Sequence, residues 1–288
     1  MRTRDLLRIV PGLSRLVRTL DSRERESRLL TEECRRLANE NHRLKAPSRT
    51  KRTAPRPSPA VAVEEVAELP PDVLRLMVAG TDDAEWFVTA GRRAAESLTA
   101  LLAKNGIVIE ECASVLDFGC GCGRVIRHLR HLPAELHGCD SNPVAVDWCA
   151  ENLPFGQFAV NALESTLPYD ADSFDLVYAL SVFTHLPPNL QAHGMRELHR
   201  VLKPGGALVI SVHGDALASR LTRAERMDYR AGRLVVRGGD LAGTNHCAAF
   251  HPPPFVRGPF ASGFEVLDLA PEGATGNPPQ DAWVLRKK

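Results

Sequence analysis

Residues 115–124 read VLDFGCGCGR, an apolar run that gives way to glycine at positions 119, 121 and 123. Glycine loses more backbone freedom on folding than any other residue, so three in five positions need a physical reason. One reason is a tight turn at the end of a strand. The other is a ligand that must touch bare backbone. The spacing leaves both open.

Strand and helix patterns alternate regularly along the chain from this point. Strands are expected at Ser114–Phe118, Glu135–Cys139, Gln157–Val160, Phe174–Leu180 and Ala207–His213. Between them, helices are expected at Gly123–Leu132, at Pro143–Asn152 with proline in the first position, and at Leu190–Leu202, stopping before Lys-Pro-Gly-Gly. Upstream, helical pattern runs from about Pro71 to Ala79 and from Asp83 to Lys104, the latter capped by Thr81 or Asp82 and followed by Gly106. Near the end, Phe264–Leu269 and Ala282–Arg286 read as two further strands, and their short Pro/Gly-rich link suits an antiparallel pair. The expectation is an α/β, doubly wound, Rossmann-like seven-stranded sheet, mostly parallel, with an antiparallel C-terminal pair and an N-terminal helical arm. The glycines then lie at a strand end inside a strand–helix–strand unit. The next strand, LHGCD, ends in Asp140, 17 residues after Gly123. A carboxylate there can accept hydrogen bonds from a ribose diol.

The formal charge of +1 hides an asymmetry: residues 1–58 hold 16 Lys/Arg against 7 Asp/Glu, and the remainder holds 20 against 28. Within the basic arm, residues 13–45 carry a heptad-like pattern, with Leu30, Leu37 and Leu44 every seven residues and Asn41 at an a position, which reads as a short coiled coil pairing two copies of the chain. A single amphipathic helix lying on the body is the other reading. Residues 46–68 read as a disordered linker, Pro/Ser/Thr-rich and basic at its start, and residues 69–288 as the globular domain. No stretch approaches the ~20 apolar residues of a membrane span, and no secretory signal is apparent. The seven cysteines, mostly in apolar or glycine-rich surroundings, suggest reduced thiols and a cytoplasmic chain. No metal is expected. Cys120 and Cys122 fit small residues in a glycine turn, and His246, Cys247 and His251 lack a repeated ligand spacing.

Four blocks, VLDFGCGCGR, LHGCDSN, LPYDADSFDLVYALSVFTHL and ELHRVLKPGGALVISVHG, together resemble the class I S-adenosylmethionine-dependent methyltransferases, in the family's order and at its usual spacing. The resemblance covers roughly residues 85–288 and implies S-adenosyl-L-methionine as the cofactor. It implies that Asp117, Gly119, Cys120, Gly121 and Gly123 line the methionine end and that Asp140, followed by Ser141, holds the ribose. Asn161, followed by Ala162, stands where the family reads the adenine, commonly with Asp. Ala179 to Val182, Ser181 among them, on the exit of the fourth strand, would flank the cofactor mainly through backbone. Phe87, Gly91 and Arg92 would fold over its carboxylate. The residues favour the same ligand independently, because a carboxylate beside the loop suits a sulfonium and repels phosphate.

An oxygen acceptor must lose its proton, and His185 and His213 stand at carboxyl ends of strands, where ligands bind in open α/β sheets. They are the candidate catalytic bases. Each also has a plain structural reading, as a loop cap or a core histidine. The long segment 214–263 would build the acceptor pocket, with Arg226, Tyr229, Arg230, His246 and His251 as polar candidates. The exit ALSVF lacks the Asn/Asp-Pro-Pro-aromatic run that relatives use on base amines, and no Pro-Cys nucleophile is present, so nucleic-acid bases are disfavoured. The leading expectation is O-methylation of a small molecule or glycan hydroxyl. The alternatives are an enzyme recruited to RNA or protein by its basic arm, and a cofactor-binding scaffold without catalysis.

Overall fold

The structure is a computed structural model that describes residues 68–276 and 280–288. The expected arm, its pairing of two copies and nearly all of the linker lie outside the described residues. Two helices come first, α1 (Asp72–Ala79) and α2 (Ala84–Lys104). α2 is capped by Asp83, whose carboxylate accepts from the Trp86 N–H, rather than by the expected Thr81 or Asp82. The domain then runs β1 (Ser114–Phe118), β2 (Glu135–Asp140), α3 (Pro143–Asn152), β3 (Gly156–Val160), β4 (Phe174–Ala179), α4 (Pro188–Val201) and β5 (Leu202–Val212). After β5 come α5 (Arg223–Arg230), a small hairpin of β6 (Val235–Arg237) and β7 (Ala248–Phe250), and the long antiparallel pair β8 (Phe264–Ala274) and β9 (Gln280–Lys287).

The seven-stranded sheet has the order β3-β2-β1-β4-β5-β9-β8, parallel through β5 and antiparallel beyond it. This is the expected doubly wound architecture. β1 pairs with β2 on one side and β4 on the other, so the strand order reverses there and a crevice opens beyond their carboxyl ends. Strands covered on both faces must be apolar at successive positions, and they are. On one face, Leu116, Phe118, Leu208, Ile210, Val212, Trp283 and Leu285 pack with Leu190, Met195, Leu198 and Val201 of α4. On the other, Val115, Leu176, Tyr178, Val209 and Val284 pack with Ala94, Leu98, Leu101 and Leu102 of α2.

Two expectations are corrected. The helix expected at Gly123–Leu132 is only a four-residue 3-10 turn, Ile126–Leu129. The Gly123 carbonyl there shares a long 3.4 Å bond from the Arg127 N–H with a 3.0 Å bond from Arg127 Nε, while Nη2 takes the Cys122 carbonyl. The guanidinium thus binds the carbonyls that a first helical turn would use. The Lys-Pro-Gly-Gly break does not precede β5 but lies within it, as a register shift between the Phe174–Leu202 and Leu176–Ala207 pairs.

Among the described residues no helix is long and apolar enough to cross a membrane, and six cysteines are free thiols. Phe183, which follows β4, is fully buried and packs its ring on Phe118 and Phe260. Phe183→Ala should therefore lower unfolding free energy by about 3–5 kcal/mol, measured by denaturant titration. A loss below about 1 kcal/mol would show that the packing there is not as described.

Candidate cofactor and acceptor site

The site is built at the carboxyl ends of β1, β2 and β4. β1 leaves through the glycine loop, in which Gly119, Gly121 and Gly123 all have positive φ (81°, 52° and 72°). A Cβ on Gly119 would overlap Val182, on the exit of β4, and one on Gly121 would overlap Val78 of α1. The glycines therefore serve a left-handed turn and make room for the protein's own side chains. What the loop offers a ligand is backbone.

That backbone is already committed in a telling way. The N–H groups of Gly119 and Cys120 both donate to the Cys139 carbonyl, at 2.8 and 3.0 Å, and Gly123 donates to the Cys120 carbonyl. The Gly121 N–H donates to Asp140 Oδ2 at 2.8 Å. A phosphate site needs free N–H groups at the start of a helix. Here four of the loop's N–H groups are taken, and the loop leads into a 3-10 turn rather than an α-helix. The loop suits a ligand without phosphate.

Asp140 ends β2, with both carboxylate oxygens held by backbone: Oδ2 by Gly121 and Oδ1 by the Asn142 N–H at 2.8 Å. Burial pushes its pKa up, and these N–H groups oppose the shift. Each oxygen keeps a lone pair for a further donor. Ser141 is exposed beside it. Asn161 follows β3, its N–H bonded to the Asp140 carbonyl at 3.0 Å. Its side chain is buried, and Oδ1 has no donor. A buried unpaired acceptor is rare, and a ligand N–H would satisfy it. Ala162 is exposed next to it, and Cys120 is buried behind the loop.

Asp117 lies within β1, opposite Tyr178 of β4, on the α2 face of the sheet. Burial drives its pKa up to about 7, against the pull of Tyr178 and of the Arg124 charge. On the far side of the crevice, Ala179 is buried at the end of β4 and Ser181 takes a left-handed φ of 63°. The chain then turns into a 3-10 helix, Phe183–His185. His185 Nδ1 lies 3.0 Å from the Cys247 carbonyl, and its ring is 6.5 Å from that of His213, just past β5. Burial lowers both pKa values, that of His213 to about 4 with help from the His185 and Arg220 charges. His213 Nδ1 is buried with no partner.

The structure brings together Asp117, the glycine loop, Asp140 and Ser181 around the switch point, with Asn161 and the two histidines on the strand exits to either side. Of the three upstream residues, Arg92 is exposed. Phe87 is fully buried, and Gly91 lets α2 pack on the Arg124 carbonyl. In the insertion, Arg230 and His246 are exposed, and Arg226 binds the carbonyls of Leu221 and Ser219. Tyr229 donates to Asp215 at 2.9 Å, and buried His251 pairs with Gln191 at 3.1 Å. Among the described residues no group of three or more His, Cys, Asp and Glu could hold a metal ion. Sequence reading missed Val78 and the structural Arg127, and it set Val182 beside the cofactor through backbone without foreseeing that its side chain packs on Gly119. Apolar and arginine residues carry no motif, and their roles appear only through contact.

The family described as "Methyltransferase domain" matches residues 116–210, from β1 through most of β5. Residues 116–210 thus carry a methyltransferase domain, and its likeness is to S-adenosylmethionine-dependent methyltransferases. An uncharacterized methyltransferase of Synechocystis sp. is 30% identical over 106 residues, covering 37% of this chain and 50% of that protein. The malonyl-[acyl-carrier protein] O-methyltransferase of Salmonella typhimurium is 27% identical over 148 residues, 51% of this chain and 56% of that one. The chain thus matches about half the length of these curated relatives. In fold it is similar to the PH0226 protein of Pyrococcus horikoshii (TM-score 0.51, 21% identity, 67% of this chain and 89% of that chain). S-adenosylmethionine is that family's cofactor. The phosphate-averse loop, the ordered Asp140 and the unsatisfied Asn161 acceptor fit it.

The sign of the Asp117 shift makes a prediction. Its folded pKa of about 7 exceeds the ordinary 3.8, so the folded state keeps a proton that the unfolded chain has lost. Stability should fall as pH rises from about 4 to about 7, by up to about 4 kcal/mol for a shift of this size. Asp117→Asn cannot ionise and should melt higher than the parent at about pH 8, with the gap closing towards about pH 4. Parallel melting curves across that range would contradict the assignment.

Proposed function

We propose that this chain transfers the methyl group of S-adenosylmethionine to a hydroxyl of a small molecule or glycan. The observation that carries the reading is His185. A carbonyl oxygen can only accept, so the Nδ1 facing Cys247 carries the proton and Nε2 is left as the ring's acceptor. Burial keeps the ring neutral near pH 7. A fixed tautomer with a basic nitrogen at the exit of β4 is what proton removal from a hydroxyl needs. His213, with an unpartnered Nδ1, stands next to it as a second acceptor or a positioning group. The O-methyltransferase named among the relatives supports this choice of atom.

In this reading Asp140 accepts the two ribose hydroxyls and Asn161 Oδ1 accepts the adenine amine. Asp117 lies nearest the cationic methionine end, with the backbone of Gly119–Gly123 beneath it. Ser141, Ala162, Ala179 and Ser181 close the walls. When bound, S-adenosylmethionine supplies a methyl on a sulfonium, already a good leaving group. The chain's own work is to align the acceptor oxygen in line at ~3 Å, exclude water and take the proton on His185.

Asp140→Ala should weaken S-adenosylhomocysteine binding by a few kcal/mol, the scale of lost charge-assisted hydrogen bonds. Unchanged affinity in calorimetry would remove Asp140 from the site. His185→Ala should keep that affinity and lose about 10²–10⁴-fold in turnover. In the parent, the acid limb of kcat/KM should lie below the ordinary histidine value of 6.5, because burial lowers the His185 pKa. The acceptor is found by labelled-methyl transfer into fractionated extract with mass spectrometry of the product. Label on carbon or nitrogen rather than oxygen would overturn the choice of atom.

A further inference from the structure

Ser181 is one of three non-glycine residues with positive φ among those described, and it stands at the exit of β4. A left-handed conformation costs a residue with a Cβ roughly 1–2 kcal/mol, so its surroundings must hold it. They do so through a closed ring of hydrogen bonds. The Ser181 N–H donates to Ser211 Oγ at 2.7 Å, and the Ser211 hydroxyl donates to Gln280 Oε1 at 2.6 Å. Gln280 Nε2 closes the ring by donating to Ser181 Oγ at 2.8 Å. Thr184 adds a bond from its hydroxyl to the Ser181 carbonyl at 3.0 Å. Ser211, Gln280 and Thr184 are all buried, and only Ser181 is part-exposed. Three strands meet here: the exit of β4, the end of β5 and the first residue of β9.

The turn at Ser181 sets two things at once. The next residue, Val182, packs where a Cβ on Gly119 would be, so it fixes the glycine loop. Four residues on, His185 takes its place against the Cys247 carbonyl.

We propose that Gln280, with Ser211, is a positioning residue of the transfer reaction: through Ser181 it locks the β4 exit in the left-handed turn that seats Val182 on the glycine loop and aims His185 at the acceptor. Gln280 is buried behind Ser181 and acts through it. This rests on the reading of His185 as the base.

The test compares the parent, Gln280→Ala, Ser181→Gly and the double variant. Glycine takes the left-handed turn without strain and keeps the N–H bond to Ser211. In Gln280→Ala, turnover should fall roughly tenfold to a hundredfold, the scale of one or two buried hydrogen bonds, with acceptor KM changed little. Amide exchange in residues 180–186 should speed up. Adding Ser181→Gly should restore both turnover and protection towards the values of Ser181→Gly alone. Additive losses in the double variant, or a Gln280→Ala variant with parental turnover and exchange, would overturn the proposal. The exchange readout needs no catalysis. If the parent transfers no methyl group, exchange and its rescue still decide the positioning role, and the failure belongs to the function assigned above.

Discussion

The hydrogen bond from the Gly121 N–H to the Asp140 carboxylate is the contact on which the site depends. It ties the loop after β1 to the end of β2 at 2.8 Å, alongside the double acceptance by the Cys139 carbonyl. The loop can turn back to reach Asp140 only because Gly119, Gly121 and Gly123 accept positive φ. In return, the carboxylate is oriented before any ligand arrives. Preorganisation of this kind avoids ordering a charged side chain on binding. It also decides what the loop cannot do, since N–H groups turned towards β2 are not available to a phosphate.

The sheet order places this loop against the exit of β4, and the two halves of the crevice are in contact through Val182 and Gly119. The groups proposed for the nucleoside, Asp140 and Asn161, lie on the β1–β2–β3 side. The groups proposed for proton removal, His185 and His213, lie on the β4–β5 side. The insertion after β5 returns to cover the second half, with Cys247 holding His185 and His251 donating its N–H to the His213 carbonyl at 2.8 Å. The segment beyond the family match at residues 116–210 is thus the one that orients the candidate base.

Much of this was legible in the residues. The alternation of apolar runs and amphipathic segments is enough to set the sheet, because strands covered on both faces leave an unmistakable pattern. Asp140 was legible because it ends a strand and precedes a Pro-initiated helix. The four-residue 3-10 turn was not. Gly123–Leu132 has helical composition, and only the buried Arg127 guanidinium, bound to carbonyls and set over the Phe87 and Trp148 rings, shows why no helix forms. Gln280 was hidden for a different reason. It sits in a Pro/Gly-rich link that reads as a turn, and its partners lie 69 and 99 residues away. The glycines answer to a left-handed turn and to room for Val78 and Val182, and that near approach could be seen only in three dimensions.

Everything in the site turns on where a sulfonium nucleoside rests. The direct measurement is a crystal structure of the full chain grown with S-adenosylhomocysteine. The expected result is ribose oxygens within hydrogen-bond distance of both Asp140 oxygens, the adenine amine on Asn161 Oδ1, and the homocysteine end along Gly119–Gly123. A nucleoside seated elsewhere, or ribose hydroxyls that leave Asp140 untouched, would contradict it.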